Sequence, residues 1–229
     1  MSINMNWEDE GYIVNKKKFR ENALILEVFT KNFGKVSGIV YGGTSRRIKN
    51  HLQLINKIHV VYNSKTNNKI GYFKTELIEP ISPKYFNNQK KTICLNSISS
   101  IIKILLPENE IQKKIYISLD NFLKNFDDKN WPLNYLNWEI DLIQDLGFGF
   151  QFDNLKNKEI NNQKTIVIKV DNMDYKIPSF IVSKDYNKTT MLDICSGLNF
   201  SRNLMEKQFF QPNNLRFPYS RKLLEEKIL

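Results

Sequence analysis

The spacing of apolar residues changes once along this 229-residue chain, near residue 85, and that change constrains the fold more than any other feature. Before it, short apolar runs alternate with clusters of Gly, Asn, Ser and Lys, a pattern typical of antiparallel strands and turns. After it, apolar residues recur at the three- and four-residue spacing of helices. The change predicts an α+β protein with two domains, residues 1–80 and residues 81–229, separated by a stop at Pro80 and Pro83.

Five strands are predicted in the first domain, and five short strands joined by such turns favour a small barrel. They span residues 12–14, 23–30, 36–41, 54–62 and 70–78. A Lys-Asn-Phe-Gly turn joins the second and third strands, and Gly34 is the residue of that turn that we expect to need a positive φ. The polar segment 63–69 joins the last two strands and should project into solvent.

The second domain is predicted to be helical with one interruption. Apolar stripes indicate three helices, over about residues 88–107, 111–126 and 132–146, and short connections would pack them as an antiparallel bundle. Residues 151–195 lose this pattern, and possible strands over 165–170 and 175–181 predict a small, irregular β-containing insertion. Two amphipathic helices, about residues 201–210 and 219–229, are expected to close the chain.

Net charge is informative only through its distribution. The formal charge is +10, but 28 lysines against 6 arginines, together with 29 asparagines, also fit the codon bias of an AT-rich genome. Residues 11–75, however, hold thirteen Lys or Arg and only two acids, whereas residues 81–229 hold twenty-one against seventeen. A genome-wide bias should not stop at a domain boundary, so this skew predicts a surface for a polyanion in the first domain.

The third predicted strand runs into Gly42, Gly43, Arg46 and Arg47, and this loop is the best candidate for phosphate contacts. The glycines let the backbone leave the sheet, and guanidinium groups match phosphate oxygens. A plain solvated loop is the competing interpretation.

Other basic and aromatic residues near this loop are weaker candidates for contacts with nucleic acid. The candidates are Lys16, Lys17, Lys18 and Arg20 between the first two strands, and Lys35 and Lys49 beside the loop. The lysine run is equally compatible with a solvated face. Tyr41 can stack on a base or belong to the core, while the other aromatic residues are assigned to the barrel core. Those residues are Phe29, Phe33, Tyr62, Tyr72 and Phe73.

Catalysis, cofactors and metals are not expected. The two histidines, His51 and His59, lie in the strand-rich region without a metal triad or a Ser-His-Asp pattern around them. The acids Glu139, Asp141 and Asp145 share one helix, where solvated carboxylates are commoner than a Mg²⁺ site. No phosphate-binding Gly-x-x-x-x-Gly-Lys-Ser/Thr motif occurs, so use of ATP is not expected either.

The cellular context is expected to be the cytoplasm. Cys94 and Cys195 lie far apart, which disfavours a disulfide framework and fits a reducing compartment. The acidic N-terminus has no apolar core of a signal peptide, and the longest apolar run is too short to cross a membrane.

Several motifs in register resemble the RecO family of bacterial DNA repair proteins. They are Trp7-x-x-Glu10-Gly11-Tyr12-Ile13-Val14, Glu21-Asn22-Ala23, Val28-Phe29-Thr30 with Gly34, Gly42-Gly43-Thr44-Ser45-Arg46-Arg47, Trp138-Glu139-x-x-Leu142-x-x-Asp145-Leu146-Gly147-Phe148, and the end from Arg202 to Leu224. The resemblance spans nearly the whole chain and is weakest over residues 155–190. It implies that the predicted barrel is an OB-fold.

The resemblance also implies a non-enzymatic recombination mediator. Such a protein binds single- and double-stranded DNA, anneals strands and, with RecR and sometimes RecF, helps to load RecA on strands covered by single-stranded DNA-binding protein. The acidic tail of that last protein needs a cationic receptor, for which Lys113 and Lys114 are candidates, although ordinary helix-surface charge is the commoner reading.

One feature departs from the family, and one other function stays open. Some members hold a four-cysteine zinc cluster after the helical core, but only Cys195 remains here, so no zinc site is expected. An OB-fold module that binds RNA or serves another nucleic-acid assembly is the alternative that a basic barrel alone allows equally.

Overall fold

The computed structural model describes residues 5–64, 70–148, 165–170, 173–187 and 189–228. The chain divides into two compact units. The first consists of Met1–Tyr116 and Pro218–Leu224, and the second of Ile117–Phe217 and Glu225–Leu229.

Five strands of the first unit form a closed barrel in the order β1-β2-β3-β5-β4. They are β1 (Met5–Arg20), β2 (Ala23–Thr30), β3 (Gly34–Tyr41), β4 (Lys57–Ser64) and β5 (Gly71–Glu79). Leu26, Val40 and Phe73 are among the side chains that fill its interior. The predicted α+β fold with an N-terminal OB-fold barrel is therefore confirmed.

Strand β1 is much longer than its apolar pattern predicted. Its first part, from Met5 to Tyr12, pairs with β4, and the part from Gly11 to Arg20 pairs with β2. Polar and basic residues occupy most of the strand, so apolar spacing indicated only residues 12–14. Pairing with neighbours on both sides supplies backbone hydrogen bonds that the local sequence does not reveal.

The turn between β2 and β3 confirms the role predicted for Gly34. Its φ is +73°, and a Cβ at this position would lie 1.9 Å from the carbonyl oxygen of Glu110. Both the left-handed backbone and the close approach of residues 108–110 therefore require glycine.

The first unit also contains helices. The short helix α1 (Arg46–Lys49) lies between β3 and β4, and the short α2 (Ile81–Lys84) and the long α3 (Gln89–Leu105) follow β5. Helix α3 packs on β1, where Ser99 Oγ donates a 2.6 Å hydrogen bond to the carbonyl oxygen of Val14. It belongs to the compact unit of the barrel, which differs from the three-helix bundle expected from the sequence. Helical spacing identifies an apolar face but does not specify what covers it.

The second unit contains most of α4 (Lys113–Lys124), then α5 (Trp131–Ile143), α6 (Ser179–Ser183) and α7 (Met191–Met205). Its core is aromatic, with the rings of Phe122 and Tyr135 at 6.1 Å between centroids. The buried carboxylate of Glu139 accepts hydrogen bonds from the hydroxyls of Tyr135 and Ser201. After α5 the segment Gln144–Phe148 is kinked at Gly147, whose φ of +88° is not helical, whereas a π-helical turn, Glu206–Phe210, continues α7.

Helix α7 begins ten residues before the predicted helix at residue 201. Thr190 caps it reciprocally with Asp193, each side chain accepting from the other residue's backbone N–H. The final helix, α8 (Tyr219–Lys227), begins where the sequence predicted it.

Strands β6 (Thr165–Val170) and β7 (Met173–Pro178) form an antiparallel hairpin within the predicted insertion. The second of these strands lies slightly earlier than expected. Residues 149–164, 171–172 and 188 of that region lie outside the described residues.

The described residues contain no helix that is long and apolar enough to cross a bilayer. Within the same ranges, no three His, Cys, Asp or Glu side chains are grouped so that they could hold a metal ion.

Candidate nucleic-acid interface

Two basic segments that are distant in sequence meet at one end of the barrel. The backbone N–H of Gly42 donates a 2.6 Å hydrogen bond to the carbonyl oxygen of Asn22, in the turn between β1 and β2. Beside it, Thr44 Oγ1 donates to the carbonyl oxygen of Glu21 at 3.0 Å. The left-handed φ of Gly42, +72°, turns the chain back toward that hairpin. The loop after β3 is therefore fixed against the end of β1.

Helix α1 presents its cations to solvent because one apolar residue anchors it. Ser45 caps its N-terminus by accepting from the backbone N–H of Ile48, and Ile48 packs against the barrel core. Arg46, Arg47 and Lys49 are exposed. A single turn held by a cap and one apolar contact thus carries three basic side chains on its outer side.

Lys16 lies beside this helix, but its ammonium group is already engaged. Nζ donates to the carbonyl oxygen of Leu52 at 2.8 Å and to Oε1 of Gln53 at 3.0 Å. Burial lowers the pKa of Lys16, and the nearby charge of Lys49 lowers it further. Lys16 therefore fastens the segment after α1 to the strand, and the shared electrostatics show that the two basic segments are close.

The remaining cations of β1 are exposed. Lys17, Lys18 and Arg20 come just before the turn that receives the α1 loop. Together with the three cations of α1 they form a set of exposed basic residues that we call the basic rim. The basic rim consists of Lys17, Lys18, Arg20, Arg46, Arg47 and Lys49.

Lys35, a candidate from the sequence, does not reach the basic rim. Only 6% of it is exposed, and its Nζ donates to the carbonyl oxygen of Lys103 in the last turn of α3. Burial lowers the pKa of the Lys35 ammonium, although the carboxylates of Glu27 and Glu108 partly offset this effect. A lysine that caps a helix C-terminus cannot also bind an external phosphate. This burial could not be predicted from the local sequence, because α3 covers Lys35 only in the folded chain.

The aromatic residues divide as expected, with one exception. Phe29 and Phe73 are buried, and Phe33 and Tyr62 stack on either side of Trp7 at 4.2 and 4.9 Å between ring centroids. The assignment of Tyr72 to the core is wrong. Its ring is half-buried and faces away from the barrel interior, because the adjacent residue Phe73 points inward. Strict alternation along β5 is the sequence signal that would have found it.

Tyr41, for which the sequence allowed either stacking on a base or a place in the core, is on the surface. It is 63% exposed at the end of β3, and its ring centroid lies 6.5 Å from that of Tyr72. Tyr41 immediately precedes the loop that carries the arginines, so this aromatic pair adjoins the basic rim.

Lys113 and Lys114 begin α4, and both are exposed, followed by the buried pair Ile115 and Tyr116. They lie in the first unit, whereas α4 continues into the second. Adjacent residues on a helix point about 100° apart, so the two ammonium groups do not share one face.

A closed five-stranded barrel of this strand order defines an OB-fold protein, and the basic rim lies at one end of that barrel. Comparison with known proteins identifies its relatives. Residues 2–81 match the family model described as "Recombination protein O N terminal", and residues 87–157 match "Recombination protein O C terminal".

Curated relatives agree with the two models. The chain is 32% identical to the DNA repair protein RecO of Rickettsia canadensis, over 82% of this chain and 76% of that protein. The RecO of Ehrlichia chaffeensis is 29% identical over 95% of this chain and 83% of its own length. The RecO of Wolbachia sp. subsp. Drosophila simulans is 36% identical over 63% of this chain and 60% of its own length. The chain therefore belongs to the RecO family, which acts in DNA repair and recombination.

Proposed function

We propose that this protein is a recombination mediator that binds single- and double-stranded DNA through the basic rim and anneals complementary strands. The observation that carries this proposal is the convergence of two basic segments, residues 16–20 and 46–49, at one end of the barrel. Family membership supplies the context of DNA repair.

The chemistry of the basic rim suits the DNA backbone. Arg46 and Arg47 offer planar guanidinium groups that can each form paired hydrogen bonds with phosphate oxygens. The surrounding lysines add charge without fixed geometry. Contacts of this kind do not read base sequence, so binding should tolerate any sequence and weaken steeply with salt.

Annealing follows from the same charges. Two complementary strands repel each other through their phosphates, and a surface that neutralises part of that charge lowers the cost of their approach. The basic rim can serve both strands in turn, because it recognises phosphates and has no requirement for a particular base.

Partners are proposed on the basis of family membership. We infer that the protein works with RecR, and in some settings RecF, to load RecA on DNA covered by single-stranded DNA-binding protein. Lys113 and Lys114 are proposed for the acidic tail of that protein. Their divergent directions favour contact with an extended acidic peptide over one enclosed carboxylate.

An annealing assay tests the proposed function. Complementary oligonucleotides coated with single-stranded DNA-binding protein are mixed with the full-length chain, and duplex formation is followed by fluorescence transfer. Acceleration by the wild-type chain and loss of acceleration in R46E/R47E are expected. The control K222E/K227E makes the same charge change at two exposed lysines of α8 and should keep the activity.

The alternative, an RNA-binding OB-fold module, is tested with matched strands. Single-stranded RNA and DNA of one sequence are titrated against the wild-type chain. Clear preference for RNA, without acceleration of DNA annealing, would replace the mediator proposal.

Partner contacts need a separate measurement. A labelled peptide ending in acidic residues and a terminal apolar residue is titrated against the wild-type chain and K113E/K114E. Equal affinity for both would remove these two lysines from the proposal, while leaving the DNA-binding surface untouched.

A further inference from the structure

The outer face of the barrel beside the basic rim carries a row of apolar and aromatic side chains that do not belong to the interior core. Backbone pairing aligns Lys17 with Ile25, Ile25 with Ile39, and Ile39 with Tyr72, across strands β1, β2, β3 and β5. Paired residues in neighbouring strands point to the same side of a sheet. These four side chains therefore form one row.

This row faces away from the barrel interior. Its chain neighbours Leu26, Val40 and Phe73 belong to the interior cluster, and alternation places residues 25, 39 and 72 on the opposite side. Arg20 pairs with Ala23, and Ala23 pairs with Tyr41, so a second row with the same orientation runs beside the first.

The two tyrosines form the exposed part of this surface. Tyr41 is 63% exposed and Tyr72 is half-buried, with 6.5 Å between their ring centroids and 55° between their planes. Ile39, which pairs with Tyr72 and lies two residues before Tyr41 on the same side of β3, is only 8% exposed. The tyrosines therefore adjoin a buried apolar residue, with Lys17 and Arg20 on the same side of the sheet.

Acidic residues bound the same face in the direction of the β2–β3 turn. The next row pairs Asn15 with Glu27 and Glu27 with Ser37. Ser37 Oγ donates to Glu108 Oε1 at 2.9 Å, and Lys35 beyond it is buried under the end of α3. The segment around Glu108 pairs with β3 there, so the open face is short and ends in two carboxylates.

We propose that this outer face, resting on the proposed function of the basic rim, is a short stacking platform that selects unpaired DNA. Tyr41 and Tyr72 stack on bases, Lys17 and Arg20 hold the flanking phosphates, and Glu27 with Glu108 ends the path. A strand leaving the platform is directed toward Arg46 and Arg47, since Tyr41 directly precedes their loop.

Selection follows from which part of DNA each surface can touch. A duplex offers phosphates to the basic rim, but its bases are stacked on one another and cannot reach the tyrosine rings. An unpaired strand offers both phosphates and base faces. The platform therefore contributes to the binding of single strands and leaves duplex binding to the basic rim.

The test compares an unpaired dT oligonucleotide, a duplex and an abasic strand of equal length by fluorescence anisotropy. In Y41L and in Y72L, affinity for dT should fall about tenfold, equivalent to about 1.4 kcal/mol. Duplex affinity should change by less than about twofold, since its binding rests on phosphate contacts. The wild-type chain should bind the abasic strand more weakly than dT, and Y41L/Y72L should bind the two strands equally.

Controls separate stacking from other effects. Y41F/Y72F retains both ring faces and should bind dT like the wild type, and the melting temperature of each variant reports any loss of folding. Unchanged dT affinity in Y41L/Y72L, or equal loss for dT and duplex, would overturn the platform alone. Failure of the wild-type chain to bind either DNA would instead overturn the proposed function.

Discussion

The two halves of strand β1 carry opposite charges and are partnered differently. In the first half, Glu10 forms a 3.2 Å ion pair with Lys57, and Glu8 lies 3.7 Å from His59. The buried carboxylate of Asp9 accepts hydrogen bonds from the backbone and the side-chain amide of Asn32, at 2.7 and 3.0 Å. Each acid of this half thus has a neighbouring residue within the barrel: a lysine for Glu10, a histidine for Glu8 and the amides of Asn32 for Asp9.

The second half leaves its charge open. Among the described residues, no carboxylate lies within ion-pairing distance of Lys17, Lys18 or Arg20, nor of the three cations of α1 beside them. One strand therefore holds a compensated acidic half and an uncompensated basic half. The total charge of +10 therefore says little about function, whereas exposed cations with no described carboxylate within ion-pairing distance indicate where a polyanion would bind.

Reversing the charge of the basic rim is expected to have the largest effect. In R46E/R47E, affinity for both single-stranded and duplex DNA should fall more than about tenfold at moderate salt, because two phosphate contacts become repulsions. Anisotropy titrations measure this change, and the melting temperature should stay the same because both side chains are exposed. DNA affinity equal to that of the wild type would show that the basic rim is not the binding surface.

The salt dependence of binding sharpens the comparison. In R46A/R47A, the slope of log affinity against log salt for duplex DNA should become shallower by about 1.8, since each lost phosphate contact removes about 0.9. Titrations between low and moderate salt give the slope. The matched variant E8Q/E10Q neutralises two carboxylates in the acidic half of β1. It should leave the slope of log affinity against log salt unaltered. Because E8Q/E10Q raises the net charge by two, a slope that becomes steeper by a similar amount in that variant would mean that only net charge matters.

Two adjacent lysines should behave in opposite ways. K16M removes the hydrogen bonds to residues 52 and 53, so the free energy of unfolding should fall by about 1 kcal/mol. Thermal melting should register this as a drop of roughly 2 to 4 °C. K17M should leave melting unchanged and weaken DNA binding about two- to threefold, as expected for one exposed charge. Identical effects of both variants would contradict the inference that Lys16 stabilises the fold while Lys17 contributes to DNA binding.

The smallest effect is expected in the compensated half. E10Q breaks the partly exposed ion pair with Lys57, and such pairs contribute at most about 1 kcal/mol. A slight loss of thermal stability and unaltered DNA affinity should follow, measured by the same two assays. Weaker DNA binding in E10Q would indicate that the acidic half also faces the ligand.

Local pattern predicted the parts of the fold that depend on short-range order. Strand β2 and strand β6 have the predicted bounds, Gly34 has the predicted conformation, and the five-stranded barrel is present. The basic half of β1 was missed because lysines give no apolar spacing. The early start of α7 was not predicted, although the capping box of Thr190 and Asp193 is a sequence signal for a helix that begins there.

The candidate site was predictable residue by residue only in part. The loop with Arg46 and Arg47 stands out in the sequence, and both residues are exposed as a phosphate-binding role requires. Two expectations were wrong. Lys35, expected on the surface, is buried under α3, and Tyr72, expected in the core, lies on the outer face. The burial of Lys35 depends on a contact with α3, far away in the chain, whereas alternation along β5 would have placed Tyr72 on the outer face.

Sequence patterns alone are enough to identify the two kinds of secondary structure, the basic first third of the chain and the family. Periods of two and about four residues are local properties, so the strands and helices could be read directly from apolar spacing. Folding brings the end of β1 against the loop after β3, and it leaves some cations exposed while it buries Lys35. The physical reason is that strand register and barrel closure join residues through backbone hydrogen bonds, which no side-chain pattern within one segment encodes.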